Sequence, residues 1–289
     1  MPRFRLVLVR PPGYVHASAL SEALEYLAIV LRECGAEADI VENEIDRSAH
    51  NVIACAHLLP AQVIAALPAD TIVFNAEPLA HADDWQFVTG VYREALARFY
   101  VWDYSLANLA HLPHARCDAL PFWYRRELER TSLPRAPGDA LLFYGVETPH
   151  RVDVLEALAA TSVRVERVFG VYGAARDARM RRARAVLDLR KREAPSTFAS
   201  IRCFHALINR VAVIAEEPGD DPSAEPFRDA MTMLPVEDFA ARVAALLADR
   251  DAFSARADAQ LQAFATLDPV PAIAVAVERY LSTSTTTNR

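Results

Sequence analysis

Short apolar runs alternate along the chain with stretches whose apolar positions recur every three or four residues. The first run, Phe4-Arg5-Leu6-Val7-Leu8-Val9, stops at Pro11-Pro12-Gly13 and predicts a buried strand followed by a loop. Leu20, Leu24, Leu27, Ala28 and Leu31 then fall on one face of a helix, with Gly35 placed as the glycine that ends it. Further strands are predicted at Ala38–Val41, Asn51–Ala56, Thr71–Phe74 and Phe99–Trp102, with helices near Pro60–Ala66 and Asp84–Arg98. Strands alternating with helices imply parallel pairing, with helices on both sheet faces.

The alternation breaks between Pro121 and Asp139, where Pro121, Pro134, Pro137 and Gly138 sit among charged residues, and then restarts. Strands are predicted at Leu141–Tyr144, Val163–Val168, Ala185–Leu189 and Val211–Ala215. Helices are predicted from Val152 to Leu158 and at Ala174–Arg184, Thr197–Ile208, Val236–Ala248, Asp251–Ala265 and Pro271–Leu281. The Ser/Thr tail Ser282–Arg289 reads as disordered. The fold class expected is α/β: two Rossmann-like parallel-sheet domains facing each other, with the functional cleft between them. The expected boundaries are 1–125 for the first domain, 126–139 for a linker and 140–270 for the second domain. Residues 271–281 would be a helix packing back on the first, and 282–289 the tail.

Composition narrows the function classes. At 289 residues, 53% hydrophobic and 24% charged, the chain has material for two cores. A formal net charge of −7 argues against nucleic acid as a partner. The arginine run Arg176–Arg184 reads as a solvated helix face or, alternatively, as a patch for a small phosphorylated ligand. Cys34, Cys55, Cys117 and Cys203 are widely spaced, which points away from a disulfide framework or zinc site and toward a reducing, cytoplasmic compartment. No apolar run is long enough to span a membrane. No metal or cofactor is expected.

In parallel sheets, ligands bind beyond the carboxyl ends of the strands. In the first half these ends carry Tyr14, His16, Asn43, His57, Asn75 and Glu77. In the second half they carry Gly145, Glu147, His150, Arg151, Tyr172, Arg190 and Glu216. Gly145-Val146-Glu147 opens a strand-to-helix turn, where backbone N–H groups can approach a phosphate or simply make the turn. His16 could remove a proton from a hydroxyl, or cap a helix. His57, before Leu58-Leu59, also suits a hydrogen-bonded core residue. Neither half contains the G-x-G-x-x-G fingerprint of dinucleotide binding, nor a P-loop.

Several segments resemble bacterial group-1-like glycosyltransferases of polysaccharide clusters. They are Ala19-Leu20-Ser21-Glu22 through Asn43, Asn51-Val52-Ile53 to His57-Leu58-Leu59, Phe74-Asn75-Ala76-Glu77 and Val101-Trp102-Asp103-Tyr104-Ser105. Leu142-Phe143-Tyr144-Gly145, Phe169-Gly170-Val171-Tyr172-Gly173 and Phe198-Ala199-Ser200-Ile201-Arg202 through Ala212-Val213-Ile214-Ala215-Glu216 continue the likeness. Asp221-Pro222 to Leu234-Pro235 resembles the family's late loop. The resemblance implies a GT-B fold and metal-independent transfer of a sugar from a nucleotide-sugar donor to a hydroxyl of a small-molecule or glycan acceptor.

On that reading His16 or Glu77 is the catalytic base, and Tyr14, Asn43, His57 and Asn75 bind the acceptor. Gly145, Arg151, Tyr172, Arg202, His205 and Glu216 bind the donor and its phosphates. Phe198, Arg202 and His205 are expected along one helix face, with an ion pair from Arg202 to Glu193 or Glu216 as the structural alternative. One departure stands out: Thr197 and His205 occupy the places of the two glutamates, eight positions apart, that many retaining members carry, and Ala199 stands where relatives often have another. A non-catalytic nucleotide-sugar-binding or partner-scaffold protein, and a GT-B-fold nucleotide-sugar epimerase, are the alternatives.

Overall fold

The computed structural model describes residues 1–79, 90–113, 116–130, 138–194 and 197–287. The chain divides into two compact units, Met1–Phe122 with Asp268–Arg289, and Trp123–Leu267.

The first unit is built on β1 (Arg3–Leu8), β2 (Glu37–Glu42), β3 (His50–Ala54), β4 (Ile72–Asn75), β5 (Tyr100–Asp103) and β6 (Cys117–Ala119). They form one sheet in the order β2-β1-β3-β4-β5-β6, every pair parallel. The inner strands β4 and β5 are buried along their whole length, as a sheet covered on both faces requires. The edge strand β2 instead alternates with solvent. Helices α1 (Ser21–Glu33), α2 (Ala61–Ala66), α3 (Gly90–Arg98) and α4 (Leu106–Leu109) belong to this unit.

The apolar face read in the sequence is the buried face of α1, where Leu24, Leu27 and Leu31 are wholly enclosed. The helix ends where Gly35 takes φ +81°, with Ala36 N–H donating to Leu31 O and Gly35 N–H to Arg32 O. This left-handed closure satisfies the last carbonyls and suits glycine. The predicted helix 84–98 is described from Gly90 onward, and its first part lies outside the described residues. β6 and α4 are additions to the sequence reading, at three and four residues too short to show a period.

The second unit contains β7 (Leu141–Tyr144), β8 (Val165–Val168), β9 (Val186–Asp188), β10 (Val213–Glu216) and β11 (Thr232–Leu234), all parallel, in the order β11-β10-β9-β7-β8. Around them run α5 (Pro149–Ala160), α6 (Gly173–Arg182), α7 (Ser200–Ile208), α8 (Phe239–Ala248) and α9 (Arg250–Phe264). Phe143, Leu155, Leu187, Ile214, Phe239 and Val243 anchor the core. The stretch Asp221–Pro235 that resembles the family's late loop contains β11, because Thr232–Leu234 pairs with Ile214–Glu216 and satisfies an edge that would otherwise be open. The unit begins at Trp123, inside the proline-rich break and before the expected linker 126–139. Arg130 N–H donates to Asn209 Oδ1 (2.8 Å), the Arg130 guanidinium meets Asp177 (3.2 Å), and Tyr124 packs edge-on against Phe264.

The last helix, α10 (Val270–Thr287), belongs to the first unit and does not stop at Leu281. Residues 282–287 of the tail expected to be disordered continue it, and hydroxyls assist. Ser282 donates to Glu278 O, and Thr283 and Ser284 to Tyr280 O. Such back-bonding keeps Ser and Thr compatible with a helix. Tyr280, 1% exposed, ties α10 to the sheet. Its ring packs among Phe4, His50, Tyr100 and Trp102, and its hydroxyl donates to Asp70 O (2.5 Å) beside His50 Nδ1 (2.8 Å).

Tyr280→Ala should destabilise the first unit by about 3–5 kcal/mol and Tyr280→Phe by about 1 kcal/mol, read from urea unfolding. Equal effects of the two changes would show that the hydroxyl, not the ring, holds the helix.

Candidate functional site

Each sheet has one place where strand order reverses, and there two successive loops leave in opposite directions and open a crevice. In the first unit it lies at the carboxyl ends of β1 and β3, since β1 stands between β2 and β3. In the second it lies between β7 and β9, since β7 stands between β8 and β9.

At the first crevice the loop after β1 brings Tyr14 and His16 together, rings 5.4 Å apart and edge-on. β3 delivers Cys55 and His57, and β4 delivers Glu77. His57 Nδ1 lies 4.0 Å from Glu77 Oε1, and its ring meets Tyr92 edge-on at 5.8 Å. Burial lowers the His57 pKa to about 4, so the ring is neutral at neutral pH. Burial, and then the neighbouring Cys55 and Glu77, raise the pKa of Tyr14, while burial and then the charge of Glu77 push the Cys55 thiol up to about 12. Cys55 also holds φ at +59°, a strained value for a side-chain-bearing residue, at the point where the chain turns out of β3. Tyr14, His16, His57 and Glu77 are therefore one neighbourhood.

Two residues expected to touch an acceptor are instead taken up by the backbone. Asn43 clasps Arg10, accepting from its N–H and donating to its C=O, both at 2.8 Å. Asn75 is fully buried in a polar cluster that the sequence reading missed. Its Nδ2 donates to Asp103 Oδ2 (2.6 Å) and Glu77 O (2.9 Å), while its Oδ1 accepts from Tyr92 Oη (2.7 Å) and Glu77 N–H (3.2 Å). Asp103, also fully buried, accepts from Ser105 N–H and Asn108 Nδ2, both at 2.9 Å. Its burial raises the carboxyl pKa to about 7 against these hydrogen bonds. The segment Val101–Ser105 signalled the cluster, but as a resemblance rather than as chemistry.

At the second crevice Gly145 takes φ +149°, a region closed to other residues. A Cβ built there would stand 3.6 Å from Arg202 Nη2 and 3.7 Å from Arg151 Nη1, so three residues singled out in the sequence do converge. Their roles differ. Arg151, 7% exposed, clamps backbone carbonyls, with Nε and Nη2 on Leu189 O (3.1 and 2.9 Å), Nε on Arg190 O (3.1 Å) and Nη1 on Val146 O (2.8 Å). Arg202 gives Nη1 to Asp188 Oδ1 at 2.7 Å and keeps about a fifth of its side chain exposed. Its ion pair is thus with the end of β9, not with Glu193 or Glu216.

Glu216 has no exposed side-chain surface. It accepts from Arg190 N–H (2.7 Å) and pairs with His150 Nε2 (2.9 Å), which ties the exits of β7, β9 and β10 together. Burial raises its pKa against those contacts. Tyr172 stands at the N-cap position of α6, at the exit of β8.

The expected common face of Phe198, Arg202 and His205 does not form. α7 begins at Ser200, so Phe198 precedes it and packs on Phe227. His205 reaches Asp177 on α6 instead (2.9 Å). Arg176 is not solvated; it is buried against Asp177 and over the Tyr144 ring. Although burial opposes ionisation of Asp177, His205 and Arg176 hold its carboxyl well below the usual range.

His57 sets a pH dependence. The folded ring stays unprotonated down to about pH 4, whereas the unfolded one takes a proton below about 6.5. The unfolded state therefore binds more protons in this window, and stability is lost as pH falls through it. The stability difference between wild type and His57→Gln should shift against wild type by on the order of 2 kcal/mol from pH 7.5 to pH 5. Urea unfolding at the two pH values measures it, and a constant difference would contradict the burial of a neutral ring.

No protein-family model matches the chain, and no curated protein matches it in sequence. Solved structures do match it in fold. HepE of Anabaena, in complex with UDP and glucose, is similar at 13% identity with a TM-score of 0.59, over 98% of this chain and 100% of that one. Sucrose-phosphate synthase from Thermosynechococcus elongatus is similar at 11% identity and a TM-score of 0.60, over 99% and 100%. The β-glucosyltransferase of T4 phage in complex with UDP-glucose is similar at 12% identity and 0.54, over 99% of each chain. The chain thus has the fold of these GT-B glycosyltransferases, two Rossmann-like parallel-sheet domains.

Proposed function

We propose that the chain is a glycosyltransferase that moves a sugar from a nucleoside diphosphate donor to an acceptor hydroxyl without a metal. The observation that carries this is the Gly145 turn at the β7/β9 crevice, where the Arg202 guanidinium stands beside a backbone that only glycine can adopt. Departure of a nucleoside diphosphate concentrates negative charge on the leaving oxygens, and a preorganised guanidinium with nearby backbone N–H groups stabilises it. Arg151 and Glu216 act on this reading by shaping the loops around the site, not by touching the donor.

The first unit supplies the acceptor side. The acceptor oxygen forms a bond to the anomeric carbon and passes its proton to Glu77 or His16. The bond from that carbon to the diphosphate breaks, and the electron pair leaves with the nucleoside diphosphate. Charge limits the acceptor. The first unit has ten Lys and Arg against seventeen Asp and Glu, whereas the second has twenty-one of each, so the whole net charge of −7 lies in the first. A polyanion such as DNA would be repelled there, and a neutral glycan or small molecule suits it better. The absent glutamate pair, with His205 committed to Asp177, favours one second reading, a protein that binds the donor without transfer.

Transfer assays with a panel of sugar nucleotides and neutral acceptors test the proposal. Donor should be consumed only with acceptor present, and donor binding without any consumption would support the second reading. Arg202→Lys should weaken binding of the nucleoside diphosphate about tenfold or more while leaving the bare nucleoside little changed, because a lysine cannot present two parallel N–H donors. Calorimetric titration with both ligands checks this, and equal losses would remove Arg202 from phosphate binding. Glu77→Gln or His16→Ala, whichever removes the base, should lower turnover by roughly 10²–10⁴-fold. Full activity in both would remove this pair from the chemistry.

A further inference from the structure

We propose that Asp103 is a positioning residue that, through Asn75 and Asn108, fixes the backbone of Glu77 and so sets where its carboxylate stands. The inference rests on the acceptor-side role given above to Glu77, but its geometry does not. The Glu77 carbonyl accepts two side-chain amide N–H groups, from Asn75 Nδ2 and Asn108 Nδ2, each at 2.9 Å. The Glu77 N–H goes to Asn75 Oδ1, and the Leu79 N–H goes to Asn108 Oδ1 at 2.7 Å. The two asparagines therefore grip the exit of β4 from both sides, and both have their Nδ2 on Asp103.

The direction of the grip follows from the chemistry of the third partner. A side-chain amide has a donating end and an accepting end, and nothing intrinsic decides which way it faces. Asp103 Oδ2 accepts from Asn75 Nδ2, and Oδ1 accepts from Ser105 N–H and Asn108 Nδ2. The ionised carboxylate, which prevails above about pH 7, only accepts, so Asp103 draws the Nδ2 end of each asparagine toward itself. That leaves both Oδ1 atoms turned to the N–H groups of residues 77 and 79. Tyr92 Oη, donating to Asn75 Oδ1, holds the same orientation. An amide at position 103 would present a donor to the Asn75 donor, and Asn75 would turn over. It would then face the Glu77 N–H with N–H and the Glu77 carbonyl with oxygen, and the grip would fail. Asp103 pays a heavy desolvation penalty for this place, being wholly buried with no cation among its hydrogen-bond partners in the described residues.

The test reads the grip and the chemistry separately. In the wild-type chain the amides of Glu77 and Leu79 should exchange with deuterium slowly for a loop, and rapid exchange at both would overturn the proposal outright. Asp103→Asn should lower their protection about tenfold or more and leave the amides of the second unit unchanged. Turnover should fall by up to about a hundredfold per donor-binding site counted by nucleoside diphosphate titration, with the donor KM unaltered. If Asp103→Asn does not fold, the exchanged pair Asn75→Asp with Asp103→Asn carries the test. It restores one carboxylate facing one amide and keeps an acceptor for the Glu77 N–H, so protection at residue 77 should return toward wild type. Unchanged protection in folded Asp103→Asn, or an exchanged pair whose Glu77 amide is unprotected, refutes the positioning role. A wild-type chain with slow exchange but no transfer to any acceptor would instead refute the catalytic reading and leave the grip standing.

Discussion

Every strand in both sheets runs in the same direction as its neighbours, and this constrains everything at their carboxyl ends. The loops all leave at one edge, carrying polar backbone that the buried strands cannot satisfy. Each N–H and C=O there needs a partner. Much of the polar chemistry in this chain answers that demand. Asn43 clasps Arg10, Arg151 collects carbonyls from three residues, and Glu216 takes the N–H of Arg190. A residue at a strand end thus serves first as a fastener, and only what is left over can meet a ligand.

The two units meet the demand with different chemistry. At the exits of β4 and β5 the first uses amides around one buried carboxylate, so hydrogen-bond direction decides the geometry there. The second uses guanidinium groups and ion pairs, with Arg202 on Asp188 and Arg176 with His205 on Asp177. A guanidinium has five donors and can fasten a loop with some while presenting others. That division explains why a cation remains available at the Gly145 turn, whereas the first crevice offers aromatic rings, a neutral imidazole and a carboxylate.

Much of this was legible in the amino-acid pattern, for reasons that can be stated. Buried parallel strands need continuous apolar runs, so β1, β4, β5 and β7 could be read to within a residue or two. Polar residues just past those runs pointed to Tyr14, His16, His57 and Glu77, and the structure gathers them. What was missed shares a physical cause. β6 and β11 are three residues long and exist because a neighbouring edge was open, a condition that no local pattern records. The partners of Arg202 and His205 lie 14 and 28 residues away, and the start of α7 at Ser200 undid the facing inferred from spacing. Asp103 looked like part of a motif because its function is to orient two amides, which composition cannot express.

The return of α10 to the first unit bears on the order in which the chain can take shape. The second unit is one uninterrupted span, Trp123–Leu267, so all of its strands and helices are on hand once that span has been made. The first unit is split around it, and the ring that closes its sheet face, Tyr280, arrives only with the final helix. During synthesis from the amino terminus, Phe4, Trp102 and Tyr100 therefore wait with an uncovered apolar face while well over a hundred further residues are added. That interval is where a chaperone or an aggregate would compete for the chain.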